Sequence, residues 1–162
     1  MKRFFIVFWL LLIMLFVAEL ANPVQAAIIT PFTEIIAHIS AGLISIFDKS
    51  VIFRGIEVIN AENGFSVSIQ AGCNGVEASL VLIAAILAFP APLLSKLIGI
   101  LVGFLSVQVL NIVRIISLFY LGQWNFAVFE WAHLYIWQAL IMVDVLVVFL
   151  VWLKMSTGLL KI

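Results

Sequence analysis

LIGILVGFLSVQVLNIVRIISLF, residues 97–119, is long and apolar enough to cross a bilayer, and it carries Gln108, Asn111 and Arg114 at three-residue spacing. A span needs about 20 mostly apolar residues. Polar and charged groups inside one are costly and mark function or a fixed partner. This stretch therefore sets the fold class and the first functional question together. The rest of the chain agrees: 162 residues, 66% hydrophobic, with a mean hydropathy of +1.33. Soluble domains are nearer half apolar. The formal net charge is zero, which argues against nucleic acid as a partner. A single cysteine excludes an internal disulfide and allows one reactive thiol. Two histidines without carboxylate or thiol ligands at suitable spacing give no expectation of a metal, and no motif calls for a cofactor.

Working outward, Phe4 to Leu20 reads as a first span preceded by Lys2 and Arg3, which hold its start in the cytoplasm. Residues 1–26 read alternatively as a signal peptide ending at Val24-Gln25-Ala26. Residues 30–47 open with Thr30 as N-cap and Pro31 at the first helical position. Ile35, Ile39, Leu43 and Ile46 recur at helical spacing, so an amphipathic helix on the membrane or bundle is expected. If this segment crossed instead, everything after it would invert. Alternation in 65–69 and the Asn63-Gly64 turn signal predict a small extracytoplasmic hairpin within 51–70. Further spans are expected from Val76 to Phe89, closed by Pro90 and Pro92, and from about Trp131 to Leu153. Lys2, Arg3, Lys96, Lys154 and Lys161 then share the cytoplasmic side.

The expectation is an all-α integral membrane protein of one domain. It has about four transmembrane helices, one amphipathic helix and a β-hairpin. Residues 1–26 form the first span or signal segment. Residues 27–72 are extracytoplasmic, 73–153 form a three-helix bundle, and 154–162 a cytoplasmic tail.

In this topology Cys73 opens the second span at its outer end. Arg114 lies about 7 Å from the outer end of the third, and His133 opens the fourth. Three chemically useful side chains, far apart in sequence, share one membrane face. Cys73 at a helix N-terminus favours the thiolate. Gly72 and Gly75 would let a substrate backbone come close. Arg114 keeps its charge and suits a thiolate or an oxyanion. His133 suits proton transfer. Glu130, three residues earlier, would orient or tune it, and Glu77 would pair with Arg114 or only cap the first turn of its helix. Asn74, Gly75 and Asn111 are site-shaping neighbours.

Blander readings stay open. Cys73 is a small apolar residue in many membrane helices. Arg114 with Glu77 or Asp144 would lock a bundle, and His133 sits among Trp131, Tyr135 and Trp137 as an interfacial belt would place it. Asp144, about 16 Å deeper than His133, reads as helix-packing glue. His38 reads as a solvated or headgroup residue. A small transporter or assembly subunit is the alternative function.

Cys73, Asn111-Ile-Val-Arg114 and His133, in that order on successive helices, resemble the exosortase/archaeosortase family. Cys-Asn-Gly-Val-Glu-Ala, the Phe-Pro-Ala-Pro turn and the short length look most like exosortase H. The resemblance covers roughly residues 30–153. It implies a membrane-embedded cysteine transpeptidase or peptidase acting on proteins with a C-terminal sorting signal of the IPTLxxWG type. It also implies the inner membrane of a Gram-negative cell, with the site facing the periplasm. Cys73, Arg114 and His133 are the catalytic residues it implies.

Overall fold

The computed structural model describes residues 2–159. Five helices and one small sheet follow the chain: α1 (Lys2–Glu19), α2 (Asn22–Ile44), strands β1 (Val51–Arg54), β2 (Glu57–Asn60) and β3 (Ser66–Ser68), then α3 (Val76–Ala88), α4 (Leu93–Trp124) and α5 (Phe126–Ser156, helical on to Leu159). Lys161 lies outside the described residues.

Helices α1, α3, α4 and α5 pack into one bundle. Its two ends differ. At one, Phe4 of α1 meets Phe89 just after α3, and Phe89 meets Trp152 of α5. The Trp152 indole donates to the Ser95 carbonyl of α4 at 2.9 Å, and Lys96 donates to the Leu87 carbonyl at 2.8 Å. Lys2, Arg3, Lys96 and Lys154 therefore cluster at or beside this end. Cys73, Arg114 and His133 lie at the other. Lys96 to Arg114 spans about 27 Å of helix, close to the thickness of a hydrocarbon core.

Among the described residues, three helices are long and apolar enough to cross a membrane: Asn22–Ile44, Leu93–Trp124 and Phe126–Ser156. This is not the expected set of four. The apolar helix α3 has only 13 residues, about 20 Å, and α1 carries Lys2, Arg3 and Glu19 within its 18 residues.

The amphipathic segment also differs. Its helix begins at Asn22 rather than at a Thr30 cap, passes through a π-helical turn at Gln25–Ile29, and continues unbroken to Ile44. The expected stripe of Ile35, Ile39, Leu43 and Ile46 is exposed. The inward face is Thr33, Ile36, Ala37, Ser40, Ala41 and Ile44. In lipid, apolar side chains gain nothing by leaving the solvent, and small residues take the helix contacts instead. Although long enough to cross, α2 finds its partners at one end of the bundle. Gln25 donates to the Glu19 carbonyl, Thr33 meets Asn74 before α3, and Ile44 packs with Ile115 and Phe119 of α4.

The hairpin is a three-stranded antiparallel sheet in the order β1-β2-β3. The expected Asn63-Gly64 turn joins β2 to β3. Gly64 is left-handed there, and Asn60 Oδ1 accepts from the Glu62 and Asn63 amides. β1 is the strand that alternation did not reveal. Gln123 Oε1 accepts from Asn60 and Asn63, and Phe65 packs edge-on to Phe119. A Cβ on Gly122 would stand 2.3 Å from the Phe65 ring, so this glycine is what lets the sheet seat on α4. Because α4 runs on to Trp124 beside the sheet, Arg114 is about 15 Å from the helix end, not about 7 Å.

Candidate active site

The turn that carries the thiol is fixed from several sides. Ile69, buried against the sheet, donates to the Ile56 carbonyl, and the Cys73 amide donates to the Gln70 carbonyl at 2.9 Å. Gly72 and Gly75 both have positive φ, so the chain doubles back around Cys73-Asn74 in a way L residues resist. Asn74 is fully enclosed. Its Oδ1 accepts from the Val76 amide at 3.0 Å, capping α3, and its Nδ2 donates to Thr33 Oγ1 at 3.1 Å. Glu77 accepts from the Gly72 amide. The Gly72 carbonyl accepts from Arg114 Nη1 at 3.3 Å. The Gly72 residue is thus clamped at both its polar atoms.

Onto this turn α4 projects Arg114 and α5 projects His133. Arg114 Nη2 is 3.5 Å from Cys73 Sγ and 3.3 Å from His133 Nδ1, and His133 Nε2 is 3.8 Å from Sγ. A guanidinium only donates, so Nδ1 accepts, and the neutral imidazole carries its proton on Nε2. Both neighbours then direct hydrogens at sulfur, an arrangement that suits a thiolate. Burial nevertheless pushes the Cys73 thiol up, with Arg114 opposing and Glu77 adding to the rise. Arg114 is almost wholly buried and has no carboxylate partner among the described residues. A buried charge is costly unless paired, so the site is poised for a negative charge to arrive.

Asn125 ends α4 and accepts from the Ala127 and Val128 amides, starting α5 without a long loop. That reversal returns His133 opposite Arg114. His133 lies in a π-helical turn, Ala132–Ile136. Such turns recur at functional sites because they displace side chains from the regular helical face. Phe129 stacks on the imidazole at 5.8 Å with planes 7° apart.

The structure therefore brings Cys73, Arg114 and His133 together, with Asn74, Gly75 and Asn111 around them. Two expected roles are corrected. Glu77 holds Gly72 rather than Arg114. Glu130 is exposed and bonds nothing among the described residues, and Arg114 takes the place on His133 expected of it. Asp144 accepts from Ser106 of α4 at 3.3 Å, away from the thiol, and so bridges two helices. His38 is exposed and stacks on Phe53. Thr33, Phe129 and Gln138 had not been singled out. Phe129 stands four residues before His133, a helical-contact spacing. Gln138 is a polar residue in an apolar span, which was a usable signal.

Beside the triad, Asn111 has no exposed surface, and neither its amide nitrogen nor its oxygen has a partner. Each such orphan costs about 1–3 kcal/mol. Its place is fixed by Gly75, whose Cβ would lie 3.3 Å from the Asn111 amide carbon and 2.9 Å from Gln108 Nε2.

Comparison with curated proteins and with solved structures finds no match in either. Over residues 2–157 the chain matches the family described as transmembrane exosortase (Exosortase_EpsH), and with a cysteine, an arginine and a histidine meeting at one end of its bundle it belongs to that family.

Proposed function

We propose that this protein is a membrane-embedded cysteine transpeptidase or peptidase that cleaves membrane proteins bearing a C-terminal sorting signal, of the IPTLxxWG type, through a thioester on Cys73. The observation that carries this reading is the approach of Arg114 and His133 to one sulfur, at 3.5 and 3.8 Å. Helices α1, α3, α4 and α5 are taken as the passes through the inner membrane. The cationic end, with Lys2, Arg3, Lys96 and Lys154, faces the cytoplasm, and the thiol faces the periplasm.

As a substrate carbonyl reaches Cys73, its developing negative oxygen draws Arg114 from Nδ1 of His133. The ring is then free to carry its proton on Nδ1 and accept the thiol proton at Nε2. Sulfur bonds to the carbonyl carbon, Arg114 stabilises the oxyanion, and the carbon–nitrogen bond breaks as His133 returns that proton to the leaving amine. In the second half, water, an amine or a hydroxyl gives a proton to His133 and attacks the thioester. The carbon–sulfur bond breaks, and the thiolate recovers the proton from His133.

The test is processing of a membrane-anchored reporter with an IPTLxxWG-type C-terminal signal. Cys73→Ser should fold with an unchanged melting profile and leave the reporter intact, while wild type yields a hydroxylamine-sensitive adduct on Cys73. Normal processing by the serine variant would end the proposal.

A further inference from the structure

A cavity of about 520 Å³ opens under the Gly72–Gly75 turn between α1, α3 and α5. Its mouth is polar, with Glu77, Asn111, Arg114 and Gln138. Its floor is apolar and runs down to Ala85 of α3 and Phe149 of α5. Along either helix that is about 15 Å. An extended chain would place about four or five residues there.

The polar mouth favours such an extended chain. Asn111 lines the cavity, is wholly buried, and has an unpartnered donor and an unpartnered acceptor on one amide. Arg114 Nε is also unpartnered. A helical backbone offers these groups no free N–H, because each is bonded to a carbonyl of its own helix, and only the second lone pair of each C=O. An extended stretch offers both.

We propose that this cavity is the subsite for the residues directly following the scissile bond, held extended, and that Asn111 binds their backbone, Nδ2 donating to a carbonyl and Oδ1 accepting from an amide. The inference rests on the proposed function: a C-terminal signal leads into the bilayer on the leaving-group side, and the cavity leads inward from Gly72, Gly75 and Arg114, the immediate neighbours of the thiol. Substrate helix therefore unwinds at the mouth before cleavage. The unpartnered amide of Asn111 supplies what the unwound backbone loses.

The test couples the enzyme side chain to the substrate backbone. Reporter peptides with the IPTLxxWG-type signal and its apolar tail would carry one amide-to-ester replacement at each of the five positions after the cleaved bond, in detergent-solubilised full-length protein. In wild type, one ester should raise KM about tenfold, the size of one lost hydrogen bond. In Asn111→Ala, which loses both bonds, KM with the normal peptide should already be raised by at least that factor, kcat should change little, and the same ester should add nothing. Alkylation of Cys73 should follow the wild-type pH profile, which reports an intact turn. If Asn111→Ala is too unstable to purify, Asn111→Ser serves in its place. Overturning results are additive effects of Asn111 and every ester, or a loss confined to kcat. Additivity with an active Cys73 defeats this inference alone, whereas processing by Cys73→Ser defeats the function beneath it.

Discussion

The two ends of the bundle use similar close contacts to opposite effect. At the cationic end, a Cβ on Gly99 would stand 2.4 Å from the Trp152 indole, and one on Gly103 would stand 2.4 Å from Leu82. The space those glycines leave is filled with side chains, and the Trp152 N–H has an acceptor on Ser95. At the thiol end, Gly75 admits Gln108 and Asn111, and polar atoms of both remain unpartnered. At the cationic end the Trp152 N–H is satisfied internally, and the orphan among the described residues is a single hydroxyl, that of Ser156. The thiol end holds bonding capacity open for something that arrives. Packing accounts for the first, while the second clusters amide groups that a substrate or ordered water would satisfy.

Breaking the contrast at its chemical centre should give the largest effect. Arg114→Gln removes the buried cation beside the thiol and should lower kcat on the reporter by about 100- to 1000-fold. It should also move the Cys73 alkylation midpoint to higher pH, because the charge that favours the thiolate is gone. A midpoint that stays or falls would sever Arg114 from the sulfur.

A change at the closed end should behave differently. Gly99→Ala drives a methyl into the Trp152 indole and should destabilise the detergent-solubilised protein by about 1–3 kcal/mol. Thermal melting would read this, and the pH profile of Cys73 alkylation should be unmoved. A shifted profile would mean the ends are coupled.

A subtler change sharpens the account of the turn. Glu77→Gln keeps an acceptor for the Gly72 amide and removes a charge that raises the Cys73 thiol. The alkylation midpoint should fall, with reactivity gained just below the wild-type midpoint and no change at pH well above it. The smallest effect belongs to Glu130→Gln, which should leave KM, kcat and their pH dependence at wild-type values. A changed acidic limb would restore the role that Glu130 has by spacing alone.

Glu130 shows why some of the site was hidden. In a regular helix it would share a face with His133. The wider turn at Ala132–Ile136 displaces His133 from that register, and no residue in Ala-His-Leu-Tyr-Ile announces a π turn. The partner for Nδ1 comes instead from α4, a contact between distant residues. Glu77 was hidden for a related reason. Its spacing from Cys73 supposes a helix through both, but the helix begins at Val76 and Gly72 and Gly75 fold the chain back before it. The α2 stripe left open whether it faces the membrane or the bundle, and packing gives the bundle the opposite face, because apolar periodicity identifies a buried face only when water is the solvent.

By itself the sequence determined the membrane class, the helix breaks at Pro90 and Pro92, and the convergence of Cys73, Arg114 and His133. Charge and reactive chemistry in an apolar chain are expensive enough to be conspicuous, and topology then places them. Tertiary structure alone decided which atoms meet: Arg114 on His133, Glu77 on Gly72, Asn111 on nothing. Those outcomes depend on helix rotation and turn geometry over a few ångströms, and residue spacing does not carry that precision.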